Sequence, residues 1–369
     1  MIRKVTILCC AMLLVAGAAA QGLLERGQEA ERKGLVDLAE GYYRQAADSS
    51  SDARRCLGLL LERKGHFSDA MHCLSTADST AVTMAHLSLC QAECGKWADA
   101  KRSAEKAVEL AGDGHKKECS MAMATLALEN CHTGNYTNAM NWANRALETD
   151  PASARALNVQ GIIHYKRGND KEAIKSFRQA LQTDPENIDA YFNLGSMYCY
   201  RRNPDMAITT LRKGLKIERT SVKLFYCLGW AFLIKGETDK SIECLENVIR
   251  LDSGYVNAYN RLGDIYFERA DYNQALAYYR MAVRKDPEMG EAYRLMGRTF
   301  AEMDDFSRAI RNYQKAVELD PQDSDTYCKI AELYDHKKQP KRVEANYKRA
   351  AKLGNVQAQQ WCVKHGVAY

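Results

Sequence analysis

Proline, which breaks helices by removing a hydrogen-bond donor and clashing with the preceding turn, occurs only six times in 369 residues. Long helices are therefore easy to accommodate, and 20 tyrosines are available to pack between them. Charge of one sign is also lacking: 52 basic side chains stand against 47 acidic ones, a net of +5 spread along the chain. Without a concentrated basic stripe, no nucleic-acid partner is expected. There is no glycine-rich phosphate loop, no nucleophile–histidine–acid order and no paired carboxylates, and Gly112-Asp113-Gly114 reads as a turn after a helix. The sequence thus predicts neither catalysis nor a cofactor. What is present is an ordinary folding composition, with 46% hydrophobic and 27% charged residues, which argues against disorder.

The first twenty residues form a separate object. Arg3 and Lys4 make a short positive region, Val5 to Val15 an apolar core, and Ala18-Ala19-Ala20 a small-residue cleavage signature. This three-part pattern predicts a secretory signal peptide over 1–20, with Gln21 as the mature N-terminus. The apolar stretch falls short of the ~20 residues that a bilayer-crossing helix needs. The expectation is therefore a periplasmic or secreted protein with no membrane span after cleavage. Cleavage removes two positive charges and no negative ones, leaving 50 against 47.

The rest of the chain repeats. Gly161, Gly195, Gly229, Gly263 and Gly297 stand 34 residues apart, and Ala331 continues the series. Twelve residues after each comes Ala173, Ala207, Ser241, Ala275, Ala309 and Val343. Pro151, Pro185, Pro287 and Pro321 share one slot of the same 34-residue frame, and Pro204 and Pro340 share another. Such a fixed period is the mark of a repeat architecture. Each unit reads as two helices. In 256–289 the first carries Tyr259, Leu262, Gly263 and Tyr266 at i, i+3, i+4, i+7, and the second carries Ala275, Tyr279 and Ala282. The glycine and alanine slots are small because two antiparallel helices cross there. Asn135, Asn169, Asn203, Asp271 and Asp305 occupy a polar slot between the helices, suited to capping the second one.

The run of a large residue, Leu-Gly, Tyr, then Ala, an aromatic, Ala and Pro resembles the tetratricopeptide repeat family. The pattern is nearly complete in 256–289 and 290–323, good in 154–187, and looser in 188–221, 222–255 and 324–357. Seven such units fill 120–357, the first of them with Ala127 in place of the glycine. Three degenerate units are read in 21–114, a short insertion at 115–119, and a capping helix at 358–369 with Trp361 in the slot of Tyr327. The resemblance implies an all-α, right-handed superhelical solenoid of about ten antiparallel helical hairpins, closed by the capping helix, whose first helices line a concave groove. It further implies a non-catalytic scaffold that holds a partner protein or peptide, as in the assembly of a complex, and brings no metal.

By the family's pattern the groove presents Asn158, Tyr165, Phe192, Asn193 and Tyr200, then Lys223, Tyr226 and Trp230, then Asn257, Asn260, Asp264 and Phe267. Arg294 and Arg298 follow, where the groove turns charged. Aromatic anchors supply contact area and amides pair with a peptide backbone. The same stripe also reads as ordinary core. A carboxylate clamp of the kind some relatives carry is not matched, because only Asn193 and Lys223 fit and Ile162 and Cys227 replace the needed Asn and Arg.

Cysteine leaves a second reading open. Of thirteen, Cys9 and Cys10 lie in the leader and eleven remain, an odd count for an oxidising compartment. Cys56 and Cys73 share slots with Cys227 and Cys244, and His86, Cys90 and Cys94 lie along one helical face. A redox- or metal-dependent repeat protein using the cysteine-rich N-terminal half is the alternative. Buried free thiols packed as small hydrophobes remain the plainer reading.

Overall fold

The computed structural model describes residues 18–112 and 114–369, so the positive region and apolar core of the expected signal peptide lie outside the described residues. The described residues are all helix and short connection, with no strand among them. Two compact units divide the chain, Met1–Leu194 and Gly195–Tyr369. The first holds α1 (18–32), α2 (Val36–Ala47), α3 (Ser51–Arg63), α4 (Phe67–Ser75), α5 (Ala81–Glu93), α6 (Trp97–Leu110), α7 (Lys116–His132), α8 (Tyr136–Thr149), α9 (Ala154–Lys166) and α10 (Asp170–Thr183). The division falls inside α11 (Ile188–Tyr200). The second unit continues with α12 (Pro204–Ile217), α13 (Val222–Lys235), α14 (Thr238–Leu251), α15 (Val256–Glu268), α16 (Tyr272–Lys285), α17 (Gly290–Glu302), α18 (Phe306–Leu319), α19 (Ser324–His336), α20 (Pro340–Lys352) and α21 (Val356–Lys364).

Within each unit odd and even helices pair as hairpins, and in the first unit the odd helices of successive hairpins also touch, α3 to α5, α5 to α7 and α7 to α9. Among the described residues the long buried clusters run across successive hairpins. In the first unit one buried cluster runs from Ala20 to Leu126, and in the second another runs from Ala275 to Cys362. Stacking is what buries the apolar faces, as expected for a repeat array.

The hairpin crossing works as a knob in a hole. A Cβ added at Gly297 would sit 2.7 Å from Cδ1 of Tyr313, and one at Gly161 would sit 2.5 Å from Cε1 of Phe177. Gly263 meets Tyr279 in the same way. Ala127, the departure from the glycine series, has Ala143 sixteen residues on in the slot that Phe177, Tyr279 and Tyr313 fill elsewhere, and both alanines are fully buried in one cluster. The smaller knob leaves room for the extra methyl.

Four of the five expected caps form: the side chains of Asn135, Asn203, Asp271 and Asp305 accept from the amide three residues on. Asn169 does not, so that expectation is corrected; α10 instead carries Asp170 and Glu172 in its first turn, where carboxylates favour the positive helix end. The segment read as an insertion, 115–119, supplies the start of α7, which has 17 residues where α9 has 13. The capping helix begins at Val356, two residues before the expected boundary, with Asn355 as its cap. Residues before the caps adopt left-handed backbone, and at Arg202, Ala270, Asp304 and Lys338 (φ 52–57°) the slot holds no glycine.

Candidate partner-binding surface

In the second unit, α11 ends and α13 runs so that Tyr200 and Trp230 meet edge to face, with ring centroids 4.8 Å apart. Tyr226 lies one turn before Trp230 and leans on Tyr255 at 5.1 Å. Tyr200, Tyr226 and Trp230, together with Leu233, Leu245, Ser241 and Arg261, line a recess of about 340 Å³. Tyr200 is 59% exposed, while Tyr226 and Trp230 are half-buried. The Tyr226 hydroxyl accepts from the Arg261 guanidinium. Three of the expected residues thus converge on one concavity. Arg261 and the hydroxyl of Ser241 were not among them; the signal for Ser241 was its place in a slot where Ala173, Ala207, Ala275 and Ala309 carry no hydroxyl.

Other expected residues fall elsewhere. Asn260 is only 6% exposed and its amide points to Met289 Sδ at 3.3 Å. That buries it too deeply to pair with a peptide backbone and removes it from the surface. Asp264 is half-buried and accepts from the Tyr279 hydroxyl at 2.9 Å. Burial pushes its carboxyl above the usual range, against the Tyr279 hydrogen bond and the Arg261 charge. Phe267 is half-buried beneath Arg298, whose guanidinium lies 4.0 Å from the ring centre. Asn257 and Arg298 are exposed; Lys223 and Arg294 are half-buried. Arg294 is held by Glu291 at 2.9 Å. Arg294 and Arg298 line a second recess of about 580 Å³ with Tyr313, Asp325, Lys329 and Glu332. Its charges are of both signs and partly paired, as Lys329 with Glu332 at 2.9 Å.

In the first unit, Asn193 donates to Asn158 at 3.0 Å. Asn158 is only 6% exposed, so its amide also leaves the candidate surface. Tyr165, Phe192 and Asn193 remain half-exposed there.

The cysteines from Cys56 to Cys362 are free thiols. His86 Nδ1 lies 2.7 Å from Glu62 Oε2 and Cys90 Sγ 4.0 Å from the same oxygen, while Cys94 is exposed. The aligned trio therefore splits, and no group of three or more potential metal ligands forms among the described residues. In the second unit the thiols of Cys199 and Cys227 hydrogen-bond, and Ser196 Oγ lies 3.3 Å from Cys227 Sγ. Among the described residues no helix is long and apolar enough to cross a membrane.

Stacked two-helix units define a helical-repeat protein. Family models for the tetratricopeptide repeat match residues 188–221 and 256–289, and a further TPR-repeat model matches 161–199, 229–269 and 297–336. The chain is a tetratricopeptide repeat protein. Repeats of this family generally bind proteins or peptides. No curated protein matches the chain. Among solved structures it is similar to PilW, a type IV pilus biogenesis factor, at 19% identity over 55% of this chain and 94% of that one, with a TM-score of 0.51. It is also similar to PilF of Pseudomonas aeruginosa, at 22% identity over 56% and 94% with a TM-score of 0.49. MamA matches at 26% identity over 45% and 96%, with a TM-score of 0.40. The likeness to PilW is one of fold.

Proposed function

We propose that this chain is a non-catalytic scaffold of the periplasm or cell envelope, holding an extended segment of a partner protein against the second-unit recess during assembly of a complex. The observation that carries the reading is the Tyr200–Trp230–Tyr226 cluster, three large aromatics kept partly in solvent around one concavity. Elsewhere in the unit comparable side chains such as Tyr279 and Phe300 are buried, so the fold has the means to cover aromatics and does not do so here. Partly exposed aromatic area of this kind costs solubility and is repaid on binding. Lys223, Asn257, Phe267, Arg294 and Arg298 are flanking contacts in this reading, and Tyr165, Phe192 and Asn193 are a separate set in the first unit.

The test is capture from an envelope extract on the immobilised full chain. Tyr226→Ala with Trp230→Ala should remove the specific partner while shifting the melting temperature little, because both side chains are only half-buried. Equal capture by the double variant sinks the proposal. The export part rests on the leader pattern. Cleavage after Ala20 would leave α1 starting at Gln21, with Leu24 and Ala30 still in the core. Chain produced with its leader in a host with a secretory pathway should yield a mature N-terminus at Gln21, and a product that stays in the cytosol with residues 1–20 attached contradicts export.

A further inference from the structure

Ser241 is 1% exposed, its Oγ has no hydrogen-bond partner, and it lines the aromatic recess. Buried hydroxyls are normally paired, so an orphan in the wall of a cavity points to a group that enters it. The fold does not ask for this hydroxyl: Ala173, Ala207, Ala275 and Ala309 fill the same slot of neighbouring hairpins and are all fully buried. The second observation is Arg261. It is the one charged side chain among those lining the recess, and its slot holds Val159, Asn193, Cys227 and Leu295 elsewhere. The hairpin geometry therefore does not require a cation there either. Tyr226 accepts from the guanidinium and so helps to fix it at the recess. The remaining wall is aromatic and aliphatic, from Tyr200, Trp230, Leu233 and Leu245.

We propose that this recess recognises a tyrosine of the partner segment with a carboxylate beside it, the ring against Trp230, the phenolic oxygen at Ser241 and the carboxylate at Arg261. The proposal rests on the scaffold reading above and names the chemistry of what is held. A recess of about 340 Å³ takes one side chain, not a folded surface. Trp230 and Tyr200 supply faces and edges for an aromatic ring. A serine hydroxyl both donates and accepts, and a phenol can meet either need. A phenylalanine in its place would leave Ser241 unpaired, and sites built to bond a hydroxyl discriminate strongly against the analogue without one. The Arg261 fork suits a carboxylate; the recess wall itself holds no acidic side chain, and Asp264 and Glu291 act on Arg261 from outside that wall.

The probe is the blocked peptide Gly-Glu-Tyr-Glu-Gly, compared with its Phe version and its Gln-flanked version, titrated calorimetrically into the full chain. The Glu-Tyr-Glu peptide should bind at least about tenfold tighter than either comparison peptide. Ser241→Ala, which installs the alanine that neighbouring hairpins already use and so should fold, should erase the preference for Tyr over Phe and leave the Phe peptide's affinity unchanged. Arg261→Gln should erase the preference for Glu over Gln together with its salt dependence. Equal binding of the three peptides, a Tyr preference surviving in Ser241→Ala, or no binding of any of them at millimolar concentration overturns the proposal. The scaffold reading fails separately. If Tyr226→Ala with Trp230→Ala loses its partner while the peptides show no preference, the recess binds by other chemistry; if capture is unchanged, both fall.

Discussion

Asp264 shows how one position serves packing and charge at once. Its carboxyl accepts from the buried Tyr279 hydroxyl and is held partly away from water, and burial raises its pKa above the unfolded value of ~3.9. A raised acid favours folding while protonated, and that contribution is lost as pH climbs through the folded pKa. Asp264→Asn keeps an acceptor for Tyr279 and removes the buried charge. It should therefore be more stable than the parent at neutral pH, with the gain shrinking as pH falls toward 3. A variant less stable at pH 7, or equally shifted at both pH values in thermal melts, would show that the Arg261 attraction outweighs burial. At this scale the sequence was only partly readable. Tyr226 and Trp230 could be placed by slot, but Asn158 and Asn260 share a slot with Tyr226 and are buried. A frame position fixes the direction of a side chain, not how closely the next hairpin covers it.

At the scale of the element, the phased glycines are one half of a matched pair. Gly297 faces Tyr313, whereas at Gly229 the nearest atoms to an added Cβ, on Cys244, Leu245 and the Ser241 carbonyl, lie at 3.4 Å, ordinary contact. The two glycines look alike in sequence, yet their alanine variants should differ in sign. Gly297→Ala forces the Tyr313 ring to move and should cost about 1–3 kcal/mol. Gly229→Ala meets no clash and gains helix propensity of up to ~1 kcal/mol, so it should be neutral or stabilising. Urea unfolding of both variants checks this, and equal losses would contradict the knob-and-hole reading. The glycine series was legible because a glycine inside a helix weakens it, and glycine recurs at a fixed period only where something packs closely against it. Its partner was legible only as the pattern's aromatic, as at Tyr279, and not as what closes on the glycine, because Leu211 and Leu245 fill the same slot in other hairpins. The cap at Asn169 shows a related limit: the residue type permits a cap, yet no side-chain cap bond forms there.

For the whole molecule, periodicity carries the fold and says little about occupancy. A 34-residue period, kept through 120–357, leaves few alternatives to stacked hairpins, and two long buried clusters show the stacking inside each unit. In the proposed reading, function enters at residues that the fold does not need: Trp230 and Arg261 in slots that differ from hairpin to hairpin, and Ser241 in a slot that holds alanine in the neighbouring hairpins. These departures could be seen in the sequence but not grouped, since Ser241 and Arg261 lie twenty residues apart on α14 and α15. The most direct test of the central claim is a hydrogen-exchange footprint of the full chain with and without its captured partner. Partner binding at the recess predicts added protection over Val222–Lys235 and the start of α15. Protection confined to the first unit, or to α16, α18 and α20, would contradict it.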